Sequence, residues 1–343
     1  MFAKKKITKN VAAAVDIGAH SIKILESVSE LDSRKITRFV IKEIPAGTSH
    51  EAYSGILKSA LDEATLSTKE LRISLAGPDA IVRIINMPEM NPQDLKSSLR
   101  FEADRYIPFS VDEVNIDSFI LGKTSDGGGQ MRVLLAAAKK DLIKRRFDMF
   151  QELGFSVSLI DVNVFAVLNA FSVSVKDLKP EVSFALLNFG HKYTNIVICK
   201  GYSPYFTRDI QIGGEQISGL VSKKLGIDAK DVFDPKPEIR DANPLIDETI
   251  KGSLSKLVDE IRLSFGYYEN QFGSSIEKVY VSGGFAKFAY LLTVMEENLG
   301  MKPIVWDTLS GFQIDDLIDK KKLDAYNPAL AVVSGLAIRS VAQ

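Results

Sequence analysis

Three apolar runs give this sequence its frame. VAAAVDIG (11–18), VSFALLNFG (182–190) and IEKVYVSGG (276–284) each pass through consecutive apolar positions and stop at glycine, the pattern of a buried strand closed by a turn. SIKILESVS and ITRFVIKEIP follow the first run and predict a three-strand meander with turns near Gly18 and Asp32–Ser33. Residues 50–66 repeat at helical spacing through Ile56, Leu57, Ala60, Leu61 and Ala64, and LRISLAGP (71–78) is the next strand. A new unit begins near Met87–Pro88. Asn91 is a helix N-cap with Pro92 at the first helical position and Asp94 in the first turn, for a helix running to just before Pro108. Strands 114–122 and 130–138 flank a hairpin tip at SDGGG, a helix over 140–153 stops at Gly154, and 155–162 is a strand. Residues 88–162 therefore read αββαβ, a compact insert.

The second half repeats the vocabulary. A helix over 162–173 precedes VSFALLNFG. NIVICKG and SPYFTRDIQIGG continue as strands, and a helix over 214–225 is capped by Gly226. The three prolines and many charges of 227–244 predict an exposed irregular connection. A long helix near 245–271, a helix near 286–299, a strand near 303–306 and a helix near 328–340 complete the chain. Asp319–Lys322 reads as a solvated face or loop.

Composition narrows the chemistry. Among 343 residues, 43 Lys plus Arg balance 44 Asp plus Glu for a formal net charge of −1, which argues against a whole face built for nucleic acid. One Cys rules out an internal disulfide and a multi-Cys metal site, and points to a reducing compartment. Three His leave little for a His-rich centre. No stretch reaches the roughly 18–20 apolar residues of a membrane span. The basic start, Lys4, Lys5, Lys6 and Lys9, is expected to be a solvated tail. Cys199, Trp306 and most of the 19 Phe are expected in the core, and His50 in solvent.

The strongest signal is a repeat. The motif starting at Asp16 (DIGAHSIKI) recurs at Asn188 (NFGHKYTNIVI), 172 residues on and close to half the chain. Each copy is an apolar strand, a [D/N]-x-G turn, polar residues and a second β-rich strand, so a duplication with two hairpin tips pointing into one cleft is predicted. Glycine in such a turn lets consecutive backbone N–H groups approach a phosphate. A neighbouring carboxylate can hold Mg²⁺ through water. Ser21 and Thr194 can donate hydroxyl bonds, and Lys23 adds charge.

Together with VSGG (281–284) and the GGE of IQIGGEQIS (210–218), these segments resemble the phosphate-1, phosphate-2 and adenosine motifs of the actin-like ATPase superfamily. Within it the chain resembles the PilM family of type IV pilus assembly proteins. That resemblance is carried by DIGAHSIKILE (16–26), MPEMNPQDLKSSLRFEADRYIPFSVDEVNID (87–117), VLLAAAKKDLI (133–143), FTRDIQIGGEQIS (206–218), VYVSGGFAKFAYLL (279–292) and NPALAVVSGLAIRS (327–340). It implies an α/β fold of two duplicated actin-like, ribonuclease H-like domains around a nucleotide cleft, with the αββαβ insert as in FtsA and PilM. The implied boundaries are 1–86 with 163–181 and 325–343 for the first domain (1A) and 87–162 for the insert (1C). The second domain takes 182–215 with 273–324 (2A) and 216–272 (2B).

The resemblance puts Asp16, Gly18, Ala19, His20, Ser21 and Lys23 around the phosphates of ATP or ADP, with Asp16 near Mg²⁺ through water. It puts Asn188, Gly190 and Thr194 on the opposite loop, Gly213, Gly214 and Glu215 near ribose and phosphate, and Gly283, Gly284 and Ala286 near adenine or ribose. Superfamily members usually carry Asp where this chain has Asn188, and an amide cannot supply a carboxylate, so ATP binding with slow hydrolysis is expected. His20 and His191 fall on the paired loops. They are read as polar turn residues touching nucleotide, since a stable metal site usually needs three or four protein ligands.

The implied role is a cytoplasmic ATP-binding adaptor in pilus biogenesis and twitching motility, held at the inner membrane through partners. The partners are the cytoplasmic N-terminal peptide of PilN and other inner-membrane or motor components, with no nucleic acid. Candidate walls of the peptide groove are Arg83, Ile85, Met87 and Pro88. Two alternatives are weighed against this. An FtsA-like division ATPase would carry a polar linker and amphipathic helix after GLAIRSVAQ, and a small-metabolite kinase would need an Asp-centred sugar site, which is not evident between the phosphate motifs.

Overall fold

A computed structural model describes residues 10–30, 33–124 and 128–339. The basic tail, Asp32 of the expected turn, residues 125–127 of the hairpin tip, residues 340–343 and the side chain of His50 lie outside the described residues. The chain divides into two units, residues 1–176 with 307–343 and residues 177–306.

In the first unit, β1 (Asn10–Ile17), β2 (Ser21–Glu30) and β3 (Ser33–Glu43) form the expected antiparallel meander. α1 (His50–Ala64), N-capped by the Ser49 side chain, leads to β4 (Glu70–Leu75), which lies parallel to β1. The chain then leaves this sheet. β5 (Ala80–Pro88), α2 (Pro92–Glu102), β6 (Val114–Lys123) and β7 (Gln130–Lys139) make a separate antiparallel sheet in the order β5-β7-β6. α3 (Lys140–Glu152) returns to β8 (Ser156–Val162), parallel to β4, and α4 (Asn163–Ser174) follows.

In the second unit, β9 (Ser183–Phe189), β10 (Thr194–Lys200) and β11 (Ser203–Ile210) repeat the meander. α5 (Gly214–Leu225), α6 (Pro237–Ala242) and α7 (Ile246–Phe272) then cross to β12 (Lys278–Ser282), parallel to β9. α8 (Ala289–Leu299) leads to β13 (Ile304–Val305), parallel to β12. The chain re-enters the first unit through β14 (Gln313–Ile314), α9 (Lys320–Tyr326) and α10 (Ala331–Ile338).

The two large sheets share one topology. The first runs β14-β3-β2-β1-β4-β8 and the second β11-β10-β9-β12-β13. Without the short β14, both place their strands third, second, first, fourth, fifth, with the first three antiparallel and the rest parallel. The small sheet is thus an insertion in the fourth-to-fifth crossover of the first unit, where the second unit has only α8. Apolar α1 and α3 residues, such as Leu57, Leu61 and Phe150, cover one face of the first sheet. α10 and α4 approach one another so closely that a Cβ on Gly335 would lie 1.7 Å from the Ala166 carbonyl oxygen. In the second unit α5, α7 and α8 pack Ile217, Leu254, Ile261 and Leu291 into one core with β9, β10 and β12.

Several local expectations change. The α-helix after Asn91 ends at Glu102 and tightens into a 3₁₀ turn over Ala103–Arg105, because Ala103 is buried against the sheet and Pro108 blocks any continuation. Residues 80–88 are a strand that the sequence reading missed. Strand 156–162, read as part of the insert, instead joins the large sheet beside β4. The connection 227–244 is not irregular throughout. It contains a 3₁₀ turn at Ala229–Asp231 and α6, and it buries Val232, with Phe233 packed on Phe285 and Phe288. Residues 307–324 cluster with the first unit, because Gln313–Ile314 pairs with Lys35–Ile36 and Asp315 bridges Lys35 at 2.7 Å. Residues 320–326 are helical (α9), and 327–330 form a 3₁₀ turn before α10, with Pro328 in its first turn.

Charges anchor these elements. The Glu26 carboxylate is buried and accepts from Thr37 Oγ1 at 2.9 Å, Ser67 N at 2.6 Å and Ser67 Oγ at 2.8 Å, clasping the loop after α1 to β2 and β3. Buried Arg72 caps the end of α10, donating to the carbonyls of Ala337 at 3.1 Å and Arg339 at 2.6 Å. Asp161 on β8 accepts from Arg339 at 3.2 Å. Burial pushes the Asp161 carboxyl above its ordinary value of 3.8, Arg339 and the Val162 N–H pull it back, and Asp117 adds to the rise.

Replacing Arg339 by Met removes one of the forces that lower this pKa, so the folded-state value rises further above the unfolded one. A raised carboxyl pKa means that the folded state holds its proton more tightly, and stability rises as pH falls through the folded value. Arg339→Met is expected to cost about 1–2 kcal/mol at pH 7, below the ~3–5 of a fully buried pair because water reaches the Arg339 head. The deficit should shrink as pH falls from neutral toward the carboxylate range. Urea unfolding of both proteins across that range is the check, and a deficit independent of pH contradicts it.

Candidate functional site

The two hairpins, each taken in its own unit, are built alike. Gly18 N donates to Ser21 O at 3.1 Å, and Gly190 N donates to Tyr193 O at 3.0 Å. A Cβ on either glycine would fall 2.8 Å from the same carbonyl that its N–H reaches, so both turns require glycine to close. The repeat read in the sequence is therefore a repeat of geometry. One step below each turn, a polar pair faces across the strands. Asp16 is in register with Lys23, and Lys23 Nζ donates to Asp16 Oδ2 at 3.0 Å. Asn188 is in register with Asn195, and Asn188 Nδ2 donates to Asn195 Oδ1 at 3.1 Å.

In the first unit, Asp16 and Ser21 are buried and Ala19 and His20 are exposed. The His20 carbonyl accepts from Ile44 N at 2.7 Å, which fixes the loop before α1 against the hairpin tip. Near Asp16 stands Tyr53 of α1. Its hydroxyl is pushed up mainly by burial, Arg146 of α3 pulls it down, and Asp16 adds to the rise. No linear motif marks Tyr53 or Arg146, because α1 and α3 come together only through packing.

In the second unit, three sequence-predicted segments converge at the end of β9. Gly214 N donates to Gly190 O at 3.1 Å and Glu215 N to His191 O at 2.9 Å, so the first N–H groups of α5 are seated on the hairpin tip. A Cβ on Gly213 would sit 2.4 Å from His191 O. His191 Nε2 lies 3.8 Å from Glu215 Oε1. Gly283 has φ +98°, and a Cβ there would meet Phe189 O at 2.3 Å. Phe285 N donates to that same oxygen at 3.2 Å. These glycines thus have a demonstrable reason in backbone packing.

Other expected residues take different places. Thr194 is buried, and its Oγ1 donates to Ile212 O at 2.8 Å, so the hydroxyl braces the loop before α5. Ala286 lies in the core, whereas Gly284 is exposed. Cys199 and Trp306 are buried as expected, and burial pushes the Cys199 thiol far up, away from nucleophile chemistry. Ile85 and Met87 face inward under α2 with Leu95 and Leu99, so their side chains are not groove surface, whereas Arg83 and Pro88 are exposed.

Sequence reading missed the extension of the Asn188 pair. Ser282 Oγ donates to Asn188 Oδ1 at 3.3 Å, and Asn195 Nδ2 donates to Asp209 Oδ1 at 2.6 Å. The row Ser282–Asn188–Asn195–Asp209 crosses four strands, β12-β9-β10-β11. Asn195 was legible as the counterpart of Lys23, seven residues past the motif start in each copy. Asp209 was not, because only sheet register brings it there.

A hairpin-bearing sheet of one topology, occurring twice in one chain, is the fold of the actin-like ATPases. A family model described as type IV pilus assembly protein PilM matches residues 14–341, and the chain belongs to that family. Among solved structures, a chain of the "PilM-PilN type IV pilus biogenesis complex" is similar at 25% identity, covering 97% of this chain and 99% of that one with a TM-score of 0.83. Ethanolamine utilization protein EutJ from Carboxydothermus hydrogenoformans is similar in fold, at 12% identity over 96% and 90% with a TM-score of 0.51. The diol dehydratase-reactivating factor is similar in fold too, at 9% identity over 95% and 99% with a TM-score of 0.54. Among the described residues no helix is long and apolar enough to cross a membrane.

The seating of α5 on the hairpin tip yields a test. Gly213→Ala forces a methyl group onto His191 O and is expected to cost about 1–3 kcal/mol through overpacking. Gly219→Ala on the open side of the same helix has nothing within 4 Å and should be neutral or slightly stabilising. Thermal melts of the two variants beside the parent check the contrast.

Proposed function

We propose that this protein is a nucleotide-loaded adaptor of the type IV pilus machine that docks the cytoplasmic N-terminal peptide of PilN and is thereby held at the inner membrane. What carries this reading is the face of the three-stranded sheet that α2 leaves uncovered. α2 covers Ile85, Met87, Met131, Val133 and Leu135. On the opposite face Ile84, Leu134 and Phe119 stand in one cross-strand row, with Phe119 66% exposed on an edge strand. One end of that face is closed by Ala80 and Ala138 packing with Leu142 and Ile143 of α3 and Ile160 and Val162 of β8. An apolar trough beside an open strand edge suits an extended peptide, with backbone bonds giving affinity and side-chain pockets specificity. The similarity to a chain of the PilM-PilN complex supports PilN as the occupant.

Nucleotide binding rests on the hairpins. In the first unit Gly18, Ala19, His20 and Ser21, with Lys23, would face phosphate, and in the second unit the Gly190 turn would do so. Gly284, which is exposed, is the residue of the turn after β12 that would face ribose or adenine. Tight glycine turns and a helix N-terminus are the features that the phosphates of ATP or ADP ordinarily use. Magnesium near Asp16 fits less well, since Lys23 already neutralises that carboxylate. With an amide at position 188, hydrolysis should be slow.

Two outcomes test the proposal. A labelled PilN N-terminal peptide should bind the purified protein, and Leu134→Asp or Phe119→Ser should weaken it about tenfold or more, while surface variants of α7 should not. Absence of peptide binding with and without ATP removes the adaptor reading. Phosphate release from ATP should stay below about 0.01 s⁻¹, far under the 1–100 s⁻¹ of kinases. Brisk magnesium-dependent release, lost in Asp16→Ala, contradicts the slow-turnover reading.

A further inference from the structure

The trough occupies one face of the small sheet, and the edge strand β6 ends beside a second concavity on the other face. From Val114 to Ile120 each β6 residue opposes one residue of β7. The ladder then slips. Ile120 opposes Val133 and Gly122 opposes Arg132, so Leu121 is an extra residue, a β-bulge. Gly122 has φ +133°, a backbone shape that favours glycine, and a Cβ there would meet nothing within 4 Å. Around this bulge lies a cavity of about 370 Å³. It is lined by Ile120, Gly122 and Lys123 of β6, Met131 of β7, and Glu89 and Met90 between β5 and α2. Ile120, Met90 and Met131 belong to the core under α2, so the cavity is on the α2 side of the sheet. Its apolar wall is aliphatic and thioether, with the Lys123–Glu89 ion pair beside it at 2.6 Å. Thioether side chains adapt to apolar groups of different shape.

Strand geometry ties this cavity to the trough. Successive side chains of an added strand point to opposite faces, and directly opposed residues share a face. A peptide residue opposite Phe119 lies in the trough with Leu134 and Ile84. The next residue, opposite Ile120, then lies on the α2 side, beside the cavity and where the bulge ends regular pairing. We propose that a peptide added to β6 is gripped on both faces of the sheet, by one apolar side chain in the trough and by an adjacent apolar side chain in the Met90–Met131 cavity. The inference rests on the peptide-docking reading above and sharpens it. The partner segment carries two consecutive apolar residues where it meets the end of β6.

The test uses the purified full chain and the labelled PilN N-terminal peptide. Met90→Trp fills the cavity and should weaken binding about tenfold. The loss should fall on one peptide residue, so that once this residue is Ala the parent and Met90→Trp bind alike. Its neighbour in the peptide should behave the same way toward Phe119→Ser. A second measurement needs no change at the cavity. With the methionine methyl groups carbon-13 labelled, saturating peptide should shift the signals of Met90 and Met131. The signal of Met295, in the core of the second unit, should stay in place. This measurement decides alone if Met90→Trp does not melt as a folded protein. Binding by folded Met90→Trp within about twofold of the parent overturns the inference and leaves the docking reading standing. Unmoved Met90 and Met131 signals do the same. So does a Met90-sensitive residue two positions from the Phe119-sensitive one, since those two would share a face. No peptide binding by the parent removes the docking reading itself.

Discussion

A glycine N–H closing onto the carbonyl three residues ahead, at Gly18 and again at Gly190, is the contact around which each unit is organised. The turn can form only without a Cβ, because the space that a Cβ would take is the space of the carbonyl being bonded. Once it forms, register follows. Asp16 must oppose Lys23 and Asn188 must oppose Asn195, and the apolar residues of β1 and β9 are committed to buried faces. In the second unit the turn also becomes a platform. The carbonyls of Gly190 and His191 receive the first N–H groups of α5, and the Phe189 carbonyl receives Phe285 N against Gly283. Substitution at Gly190 would therefore disturb the tip, the start of α5 and the turn after β12 together.

The same topology explains where the chain tolerates additions. In the first unit the crossover from the fourth to the fifth strand runs outside the sheet, so β5, α2, β6 and β7 can be placed there without breaking a ladder. The insert is self-sufficient in one sense and incomplete in another. Its α2 face has its own core of Leu95, Leu99, Val133 and Leu135. Its other face is closed only at the end where Ala80 and Ala138 meet α3 and β8. A small sheet with one covered face leaves an apolar strip and an open strand edge, which native proteins ordinarily cover or blunt. Here the strip carries Phe119 on that edge, a placement that makes sense if a partner segment completes it.

Much of this was legible in the residues, and the limits have physical causes. The buried strands were readable because fully covered strands are continuous apolar runs, and the duplication because the turn tolerates so few residue types. The N-cap at Asn91 was likewise local chemistry, and its side chain accepts from Gln93 N and Asp94 N. β5 was missed because AIVRIINMP alternates only weakly and ends in proline, so its β7 partner decides its state. β14 was missed because two residues carry no periodicity at all. The family resemblance implies groove walls at Ile85 and Met87, and a resemblance does not say which face of β5 the helix α2 covers. Thr194 is read from its hydroxyl chemistry and Gly213 from the family resemblance, whereas the structure uses the hydroxyl and the missing Cβ for backbone packing.

The divergence between the two copies concerns charge. At corresponding positions one hairpin holds an ion pair and the other a pair of amides. An ion pair that is nearly buried must balance itself, since an uncompensated charge there is costly. Asp16 and Lys23 do so directly. The amide pair carries no such penalty, and its orientation is set by a carboxylate at the exposed end of the row, where water can share the charge. The two copies of one hairpin thus solve the same packing problem with different charges.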